Sequence, residues 1–413
     1  MHTHAEDILL IVITQLIVII VASRVFGALF LRLGQPQVCG EVAAGLILGP
    51  SLFGGLFPDL FHKVFDPSVN PIFNTMSQLG LVLLMFLIGL EFDFSHLNVN
   101  RRLAMSVSTA GIIAPFSLGF LLGAQMHKAL GFSGSWVNFA LFIATAMSIT
   151  AIPTLGRIMI ELNIHRTRLG TVTISAAAVN DATGWVILAL VSSIARSSFD
   201  PMRLAGMVLG TLAFSALVIY VIRPLAIRFI GKELSLGTFA ALLILILLSA
   251  AATNLIGIFS IFGPFILGAA LHDQLELVAA VRRRLQDFVT IFFLPIFFTY
   301  TGLRTEIGSM SGGLDWIFCG LVLLTAIVGK AGGCAFAARW SGISWRNSSL
   351  IGVLMNTRGL MELIVINMGY DLGIIPKSVF FMLVLMAVVT TYMTAPFTRL
   401  LARGSEIEKA YYG

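Results

Sequence analysis

The sequence predicts an all-α polytopic membrane protein of thirteen transmembrane helices, arranged as inverted repeats with crossed, broken helices. Three observations support this fold class: the composition, the recurrence of apolar segments along the whole chain, and the distribution of basic residues among the connections. Of the 413 residues, 58% are hydrophobic and only 11% are charged, and the mean hydropathy is +0.96. Soluble domains carry about 25% charged residues, so this chain is typical of helices that lie in a bilayer.

Apolar stretches separated by short polar connections give the predicted spans. No connection is long enough for a soluble domain, so we predict one membrane unit. The first stretch follows Glu6 and Asp7 instead of a basic segment and is about 23 residues long, which indicates a spanning helix and not a cleaved signal peptide. The spans cover approximately residues 8–30, 38–54, 72–90, 103–126, 136–160, 169–195, 204–222, 235–253, 256–271, 286–303, 315–338, 347–368 and 378–401.

The basic residues of the connections are unequally divided between the two sides of the membrane. With thirteen spans, one set of loops and termini carries sixteen Lys and Arg residues and the other set carries six. Since basic loops remain in the cytoplasm, we predict a cytoplasmic C-terminus and an N-terminus outside. The net charge of +6 therefore reflects membrane topology, and we expect no nucleic-acid partner.

A weak internal repeat relates the two ends of the chain and aligns Gly49 with Gly268 and Gly89 with Gly302. Spans 1–6 then match spans 8–13, with span 7 as a connector. Because a shift of seven spans is odd, the two copies have opposite topology, as in secondary transporters. Chance similarity between glycine-rich membrane helices is the alternative. The matched segments are AGLILGP at 44–50 with GPFILGA at 263–269, and LLMFLIGLE at 83–91 with PIFFTYTGLR at 295–304.

The fifth and twelfth spans, which correspond in this repeat, both contain a helix breaker. Pro153 disfavours helical geometry at Ile152, and Gly359 loosens the twelfth span directly after Arg358. Binding sites in inverted-repeat transporters lie where such helices are broken. We therefore expect the two broken helices to cross beside the sixth span, with an open carbonyl end that attracts a cation.

Asn180 and Asp181 lie in the middle of the sixth span. A carboxylate near the bilayer midplane costs at least about 2.5 kcal/mol, and chains retain one where it carries an ion or a proton. We predict that Asp181 binds a proton or a monovalent cation and that neutral Asn180 orders the site; a structural helix–helix hydrogen bond is the alternative. Thr145, Ser148 and Thr150 offer further hard oxygen ligands, with Thr150 favoured, although hydroxyls commonly bond to their own helix.

Four more charged residues within the predicted spans form a candidate charge-coupling group. Lys330 is central in the eleventh span, and we expect it to pair with Asp181 and stabilise the ionised form of that carboxylate. Arg358 and Glu362 are four residues apart and are predicted to form an ion pair. Arg157, one turn after the proline of the fifth span, is expected to join them.

Two acids near span ends and the three cysteines are predicted to have no part in ion binding. Glu41 and Glu91 lie toward span ends and are predicted to be interfacial acids. The three cysteines fit neither a disulfide framework nor a zinc site, and we expect no cofactor beyond the transported ions.

Several motifs resemble one family of transporters. Residues 34–51 (GQPQVCGEVAAGLILGPS) and 79–91 (LGLVLLMFLIGLE) are similar to the second- and third-helix motifs of the monovalent cation:proton antiporter-2 family. The Asn-Asp pair at 180–181, the Gly-Lys pair at 329–330 and NTRGLMEL at 356–363 also match, the last especially its potassium/proton branch. The resemblance covers essentially the whole chain.

The resemblance implies the sodium/proton-antiporter fold and a homodimer embedded in a lipid bilayer, with a bacterial inner (plasma) membrane expected. The implied activity is secondary active exchange of Na+ or K+ for H+ by alternating access, which is not an enzymatic function. The implied units are dimer-domain helices at 1–102 and 233–312, core helices at 103–200 and 313–403, a linking helix at 201–232 and a short cytoplasmic tail at 404–413.

The sequence departs from the family in two respects. Many relatives carry Asp where Asn180 stands and are electrogenic, so we expect electroneutral one-to-one exchange here. The glutathione-gated branch carries a cytosolic nucleotide-binding domain, which we do not expect because the chain stops shortly after the last span. A gated cation channel or potassium-efflux pathway and an organic-anion symporter remain alternatives; a filter-like carbonyl sequence that would favour a channel is absent.

Overall fold

A computed structural model describes residues 4–35, 37–91, 101–162, 164, 167–197, 200–230 and 235–408, and within these ranges the chain forms helices and no β-strand. Of the predicted tail, residues 409–413 lie outside this part. The α-helices are α1 His4–Arg32, α2 Gln37–Leu48, α3 Phe53–Leu56, α4 Pro58–Val64, α5 Asn70–Leu90, α6 Arg101–Leu130, α7 Trp136–Ser148, α8 Ile152–Glu161, α9 Arg168–Ser197, α10 Pro201–Leu217, α11 Arg223–Ile230, α12 Leu236–Ile256, α13 Phe262–Leu271, α14 Leu275–Phe288, α15 Leu294–Leu303, α16 Gly313–Ile327, α17 Gly333–Trp340, α18 Trp345–Met355, α19 Leu360–Asp371 and α20 Lys377–Ala402.

Three of the long apolar helices contain a single π-helical turn. These turns join α10 to α11, α14 to α15 and α16 to α17 without ending the helix. Such turns often mark functional positions, and the third one carries Lys330. The π-helical turns are Val218–Ile222, Val289–Phe293 and Val328–Gly332.

The apolar helices make this chain an integral membrane protein. In the described part, ten helices are long and apolar enough to cross a bilayer, and the pair α18 and α19, bent by 46°, adds an eleventh candidate. The apolar helices α7 and α13 are shorter, with 13 and 10 residues. The predicted fifth span, 136–160, is therefore not one helix, because the backbone leaves helical geometry between α7 and α8.

Both predicted breaks occur and lie against each other, but Ile152, expected to be non-helical, is the first residue of α8, so the first break covers residues 149–151. Residue Ile149 is extended, with φ −75° and ψ 147°, and Pro153 falls in the first turn of α8, where its missing N–H costs no helical hydrogen bond. Gly359 has φ +134°, a conformation that favours glycine, and it precedes α19 directly. The Ala151 N–H donates to the Thr357 carbonyl at 3.3 Å, so the two unwound segments are joined through their backbones.

Glycines allow two pairs of helices to cross at backbone contact. A Cβ at Gly49 would overlap the Gly302 carbonyl oxygen, and a Cβ at Gly302 would overlap that of Gly45, so α2 and α15 touch here. The same relation holds between α5 and α13, where a Cβ at Gly89 or Gly268 would overlap a backbone carbonyl of the other helix. Small residues at these positions are typical of close helix packing in membranes.

Replacing Gly302 by Ala is expected to destabilise the protein. The added methyl group must push apart the α2 and α15 backbones, and overpacking of this kind costs about 1–3 kcal/mol. Gly320→Ala in α16 is the matched control, because a Cβ there meets no atom within 4 Å. Thermal unfolding in detergent should show a lower Tm for Gly302→Ala alone; equal Tm values for the two variants would contradict the proposed contact.

Candidate ion-binding site

Asp181 lies near the middle of α9, which packs against α6, α7 and α18. The residue is only 1% exposed, and its Oδ1 is buried without a hydrogen-bond partner. A buried carboxylate oxygen that lacks a partner has lost its hydration, so the carboxylate is costly to keep charged. Binding of a proton or a small cation would remove that cost, so the geometry suits a carboxylate whose occupancy changes.

Asn180 connects the elements that surround Asp181. Its Oδ1 accepts hydrogen bonds from Thr150 Oγ1 at 3.2 Å and from Lys330 Nζ at 3.0 Å. Its Nδ2 donates to the Ser108 carbonyl of α6 at 3.5 Å. A neutral amide thus occupies the centre of the polar cluster, and Asp181 is next to it in the chain.

Lys330 is fully buried, and its ammonium group donates hydrogen bonds to three oxygens. It donates to the Gly111 carbonyl at 2.8 Å, to Asn180 Oδ1, and to the Ser148 carbonyl at the end of α7. Lys330 and Asp181 interact electrostatically, as expected, but none of the ion pairs in the described part joins the two. The reason is that uncharged oxygens already satisfy the ammonium from three sides.

Arg358 lies in the break between α18 and α19 and is 1% exposed. It donates to the Ala146 carbonyl at 2.8 Å and the Met147 carbonyl at 2.6 Å, and forms an ion pair with Glu362 at 2.9 Å. Together with Lys330 it covers the carboxyl end of α7. The prediction that this helix end is open to a cation is therefore wrong, because two cationic side chains already neutralise its partial negative charge.

The three candidate hydroxyls differ in what they contact. Thr145 Oγ1 donates to the Leu141 carbonyl at 2.7 Å and Ser148 Oγ to the Thr145 carbonyl at 2.9 Å, both within their own helix. Thr150, in the unwound segment, instead reaches Asn180 and the Met355 carbonyl, the latter at 3.3 Å. Only Thr150 connects the first break to both the second break and the Asn-Asp pair.

Three predicted residues remain to be placed, and the structure describes the side chains of two of them. The side chain of Arg157 lies outside the described part of the structure. Glu41 was predicted to be interfacial but is 2% exposed and accepts a hydrogen bond from Gln37 Nε2 at 3.0 Å, because α2 is covered by its neighbours along this face. Glu91 is exposed and forms an ion pair with Arg282.

Asn356 is a site residue to which sequence reasoning assigned no role. It follows α18 directly, is 5% exposed, and its Oδ1 is buried without a partner. The signal was present, since an amide immediately before a broken segment is a natural oxygen ligand. Gly111 was also missed: a Cβ there would meet Cys334 Sγ and lie 3.3 Å from Asn180 Nδ2, so a larger residue would displace side chains of the cluster.

Comparison with known proteins assigns the chain to a family. Residues 16–402 match the model described as sodium/hydrogen exchanger, transmembrane. The chain is 38% identical over 395 residues to the Na(+)/H(+) antiporter NhaS4 of Synechocystis sp., covering 94% of this chain and 96% of that protein. It is 31% identical over 413 residues to K(+)/H(+) antiporter 1 of Saccharomyces cerevisiae, covering 97% of this chain and 47% of the yeast protein.

Similarity extends to plants and to a solved structure. Cation/H(+) antiporter 17 of Arabidopsis thaliana is 32% identical over 414 residues, and the match covers 98% of this chain but 50% of the plant protein. The chain thus spans about half the length of these plant and yeast relatives. The sodium proton antiporter MjNhaP1 of Methanocaldococcus jannaschii shares the fold with a TM-score of 0.62 at 16% identity, over 98% of this chain and 100% of that one. The chain belongs to the transmembrane sodium/hydrogen exchanger family.

Proposed function

We propose that this protein is a secondary active antiporter that exchanges Na+ or K+ for H+ by alternating access. One observation carries the proposal: the buried, unpartnered carboxylate oxygen of Asp181 lies on the helix beside two broken, backbone-linked helices. The relatives named as Na+/H+ and K+/H+ antiporters support the same activity.

Competition for one carboxylate couples the two fluxes. A proton and a monovalent cation each neutralise Asp181, and neither binds well while the other is bound. A neutralised site crosses the low-dielectric interior at lower cost than a bare carboxylate, so the site moves when it is loaded. Asn180, held by Thr150 and Lys330, keeps the neighbouring position uncharged. No ATP is needed, because one gradient supplies the energy for the other flux.

We propose thirteen spans, counting α7 with α8 as a second broken span and α13 as a short one. The dimer domain comprises 1–102 and 233–312, the core 103–200 and 313–403, and the linking helix 201–232. Two protomers form a homodimer in the inner membrane, with the N-terminus outside and the C-terminus cytoplasmic.

The glycine contacts support the inverted repeat within this arrangement. The repeat pairs α2 with α13 and α5 with α15. A two-fold axis relating the repeats would therefore place the contact between Gly49 and Gly302 onto a contact between Gly268 and Gly89. Both contacts are present. The same axis relates the break before Pro153 to the break at Gly359. Reciprocal contacts of this kind are what an inverted repeat requires.

Exchange is expected to be electroneutral. Asp181 is the acid of the Asn-Asp pair, Arg358 is matched by Glu362, and Lys330, which has three uncharged acceptors in the structure, is expected to keep its proton. A membrane potential does about 2.3 kcal/mol of work per elementary charge per 100 mV, and only on net charge moved. Sodium-loaded proteoliposomes under a potassium/valinomycin diffusion potential should therefore change internal pH at a voltage-independent rate. A rate of pH change that rises steeply with the potential would contradict one-to-one exchange. So would a flux that stops at the ion gradients expected for two protons per cation.

A flux assay separates the proposal from the alternatives. Purified protein in proteoliposomes containing a pH-sensitive dye is given Li+, Na+, K+ or Rb+ gradients in turn, with protein-free liposomes as the control. The proposal predicts cation-driven proton movement for Na+ or K+. A gated cation channel would conduct without stoichiometric proton counterflow, and an organic-anion symporter would show no cation-driven proton movement.

A further inference from the structure

A cluster of polar side chains around Arg304 joins the ends of α15 and α19. The guanidinium donates to Tyr300 Oη at 2.7 Å and to Asn367 Oδ1 at 3.1 Å, and forms an ion pair with Asp371 at 2.8 Å. The side chains of Arg304 and Asp371 are 15% and 29% exposed, so water and salt screen this pair less than a surface pair. The cationic side chain thus lies at the end of α15, and its anionic partner lies at the end of α19.

Asn367 adds a second link between the same two helices. Its Nδ2 donates to Thr301 Oγ1 at 2.8 Å, and the residue itself is 6% exposed. A cavity of about 30 Å³ lies beside the cluster, and Ser77 and Gln78 of α5 line it together with Asn367, Arg304 and several apolar side chains. Asn367 therefore lies both at the contact of the two helices and on the wall of this cavity.

The helix α19 connects this cluster to the candidate ion-binding site. It begins directly after the break at Gly359, carries Glu362 in its first turn, and ends at Asp371. Twelve residues of α-helix span about 18 Å, and a short helix moves as a rigid unit. Any displacement of the break relative to α15 must therefore stretch or release the contacts of Arg304.

We propose that Arg304, Asn367 and Asp371 form a latch between the dimer domain and the core that holds the outer face closed and opens once in each transport cycle. This inference rests on the proposed function, in which α15 belongs to the dimer domain, α19 to the core, and this face is outside. Arg304 is a positioning residue: it contacts no transported ion and acts through α19. A second pair, Lys377 with Glu306, joins nearby segments but is 52% and 39% exposed, and such surface pairs contribute little.

Cysteine accessibility tests the latch without relying on transport. Ser77→Cys places a reporter on the cavity wall, where the wild-type residue is 3% exposed. A membrane-impermeant cationic methanethiosulfonate is added to the outside of sealed right-side-out vesicles. The protein without the Ser77→Cys change, whose three native cysteines are buried, gives the background rate. Arg304→Gln should raise the modification rate about tenfold, while Lys377→Gln, the matched loss of one positive charge, should change it by less than about twofold.

Charge reversal distinguishes a latch from a loss of packing. Arg304→Asp combined with Asp371→Arg restores the ion pair and should return the rate toward that of Ser77→Cys alone. An unchanged rate in Arg304→Gln, or an acceleration that the reversed pair leaves in place, would overturn the latch. Cation-driven proton flux is measured separately in the same preparations, so its absence would reject the proposed function and leave the accessibility result interpretable.

Discussion

Asp181→Asn is expected to abolish cation:proton exchange while the protein still folds and inserts. Asn is nearly isosteric with Asp but carries neither a titratable proton nor a charge. The replacement also removes a buried carboxylate whose Oδ1 lacks a partner, so stability should not fall. Cation-driven proton flux in proteoliposomes should drop to the level of protein-free liposomes, and thermal unfolding in detergent should occur at or above the wild-type Tm.

The control for this result is Asp273→Asn, the same change at an exposed acid. Asp273 is paired with Arg223 at a surface where both side chains are more than one third exposed, and such pairs contribute little. Its exchange rate should match that of the wild-type protein. Flux at the wild-type rate in purified Asp181→Asn would instead remove Asp181 from the mechanism.

Arg358→Met is expected to destabilise the protein by about 3–5 kcal/mol, the cost of leaving one partner of a buried ion pair uncompensated. The variant leaves the Glu362 carboxylate without its partner and the Ala146 and Met147 carbonyls without their donors. We therefore expect a large fall in folded yield and in Tm. Exchange should also be lost, because the two broken helices would no longer keep their arrangement.

A double-mutant cycle gives this prediction its control. Arg358→Met with Glu362→Met removes both charges, so it should recover part of the stability that Arg358→Met loses. Arg223→Met, which breaks an exposed pair, should cost less than about 1 kcal/mol. If Arg358→Met were as stable as the wild-type protein, or if the double variant lost the sum of the single effects, the ion pair would not hold the crossing together.

The backbone events at the site were predictable because they depend on local rules. Pro153 fixes its own φ and removes a backbone donor, whereas Gly359 can adopt a positive φ that other residues avoid, so both breaks follow from local rules. Asp181 was equally recognisable, because burying a charge in a membrane helix is costly in any fold. The ion pair of Arg358 with Glu362 was also predicted, although Arg358 lies in the break and not on the shared helix face that the four-residue spacing assumed.

The hydrogen-bond partners of the buried cations were not predictable, because they depend on how distant helices meet. Lys330 contacts oxygens of residues 150, 182 and 219 positions away, and spacing along one helix says nothing about such partners. Its hydrogen bond to Asn180 joins the third π-helical turn to α9, two elements that are far apart in the chain. The burial of Glu41 has the same origin, since the neighbours that cover α2 decide it.

Proton release on cation binding tests the central claim most directly. Purified protein in lightly buffered detergent solution, at a pH where the empty site holds a proton, is titrated with NaCl or KCl while a pH-indicator dye reports released protons, with choline chloride as the control. If Asp181 carries either ion but never both, about one proton should leave for each cation bound, and none in Asp181→Asn. Saturable cation binding without proton release in the wild-type protein would contradict competition at this carboxylate.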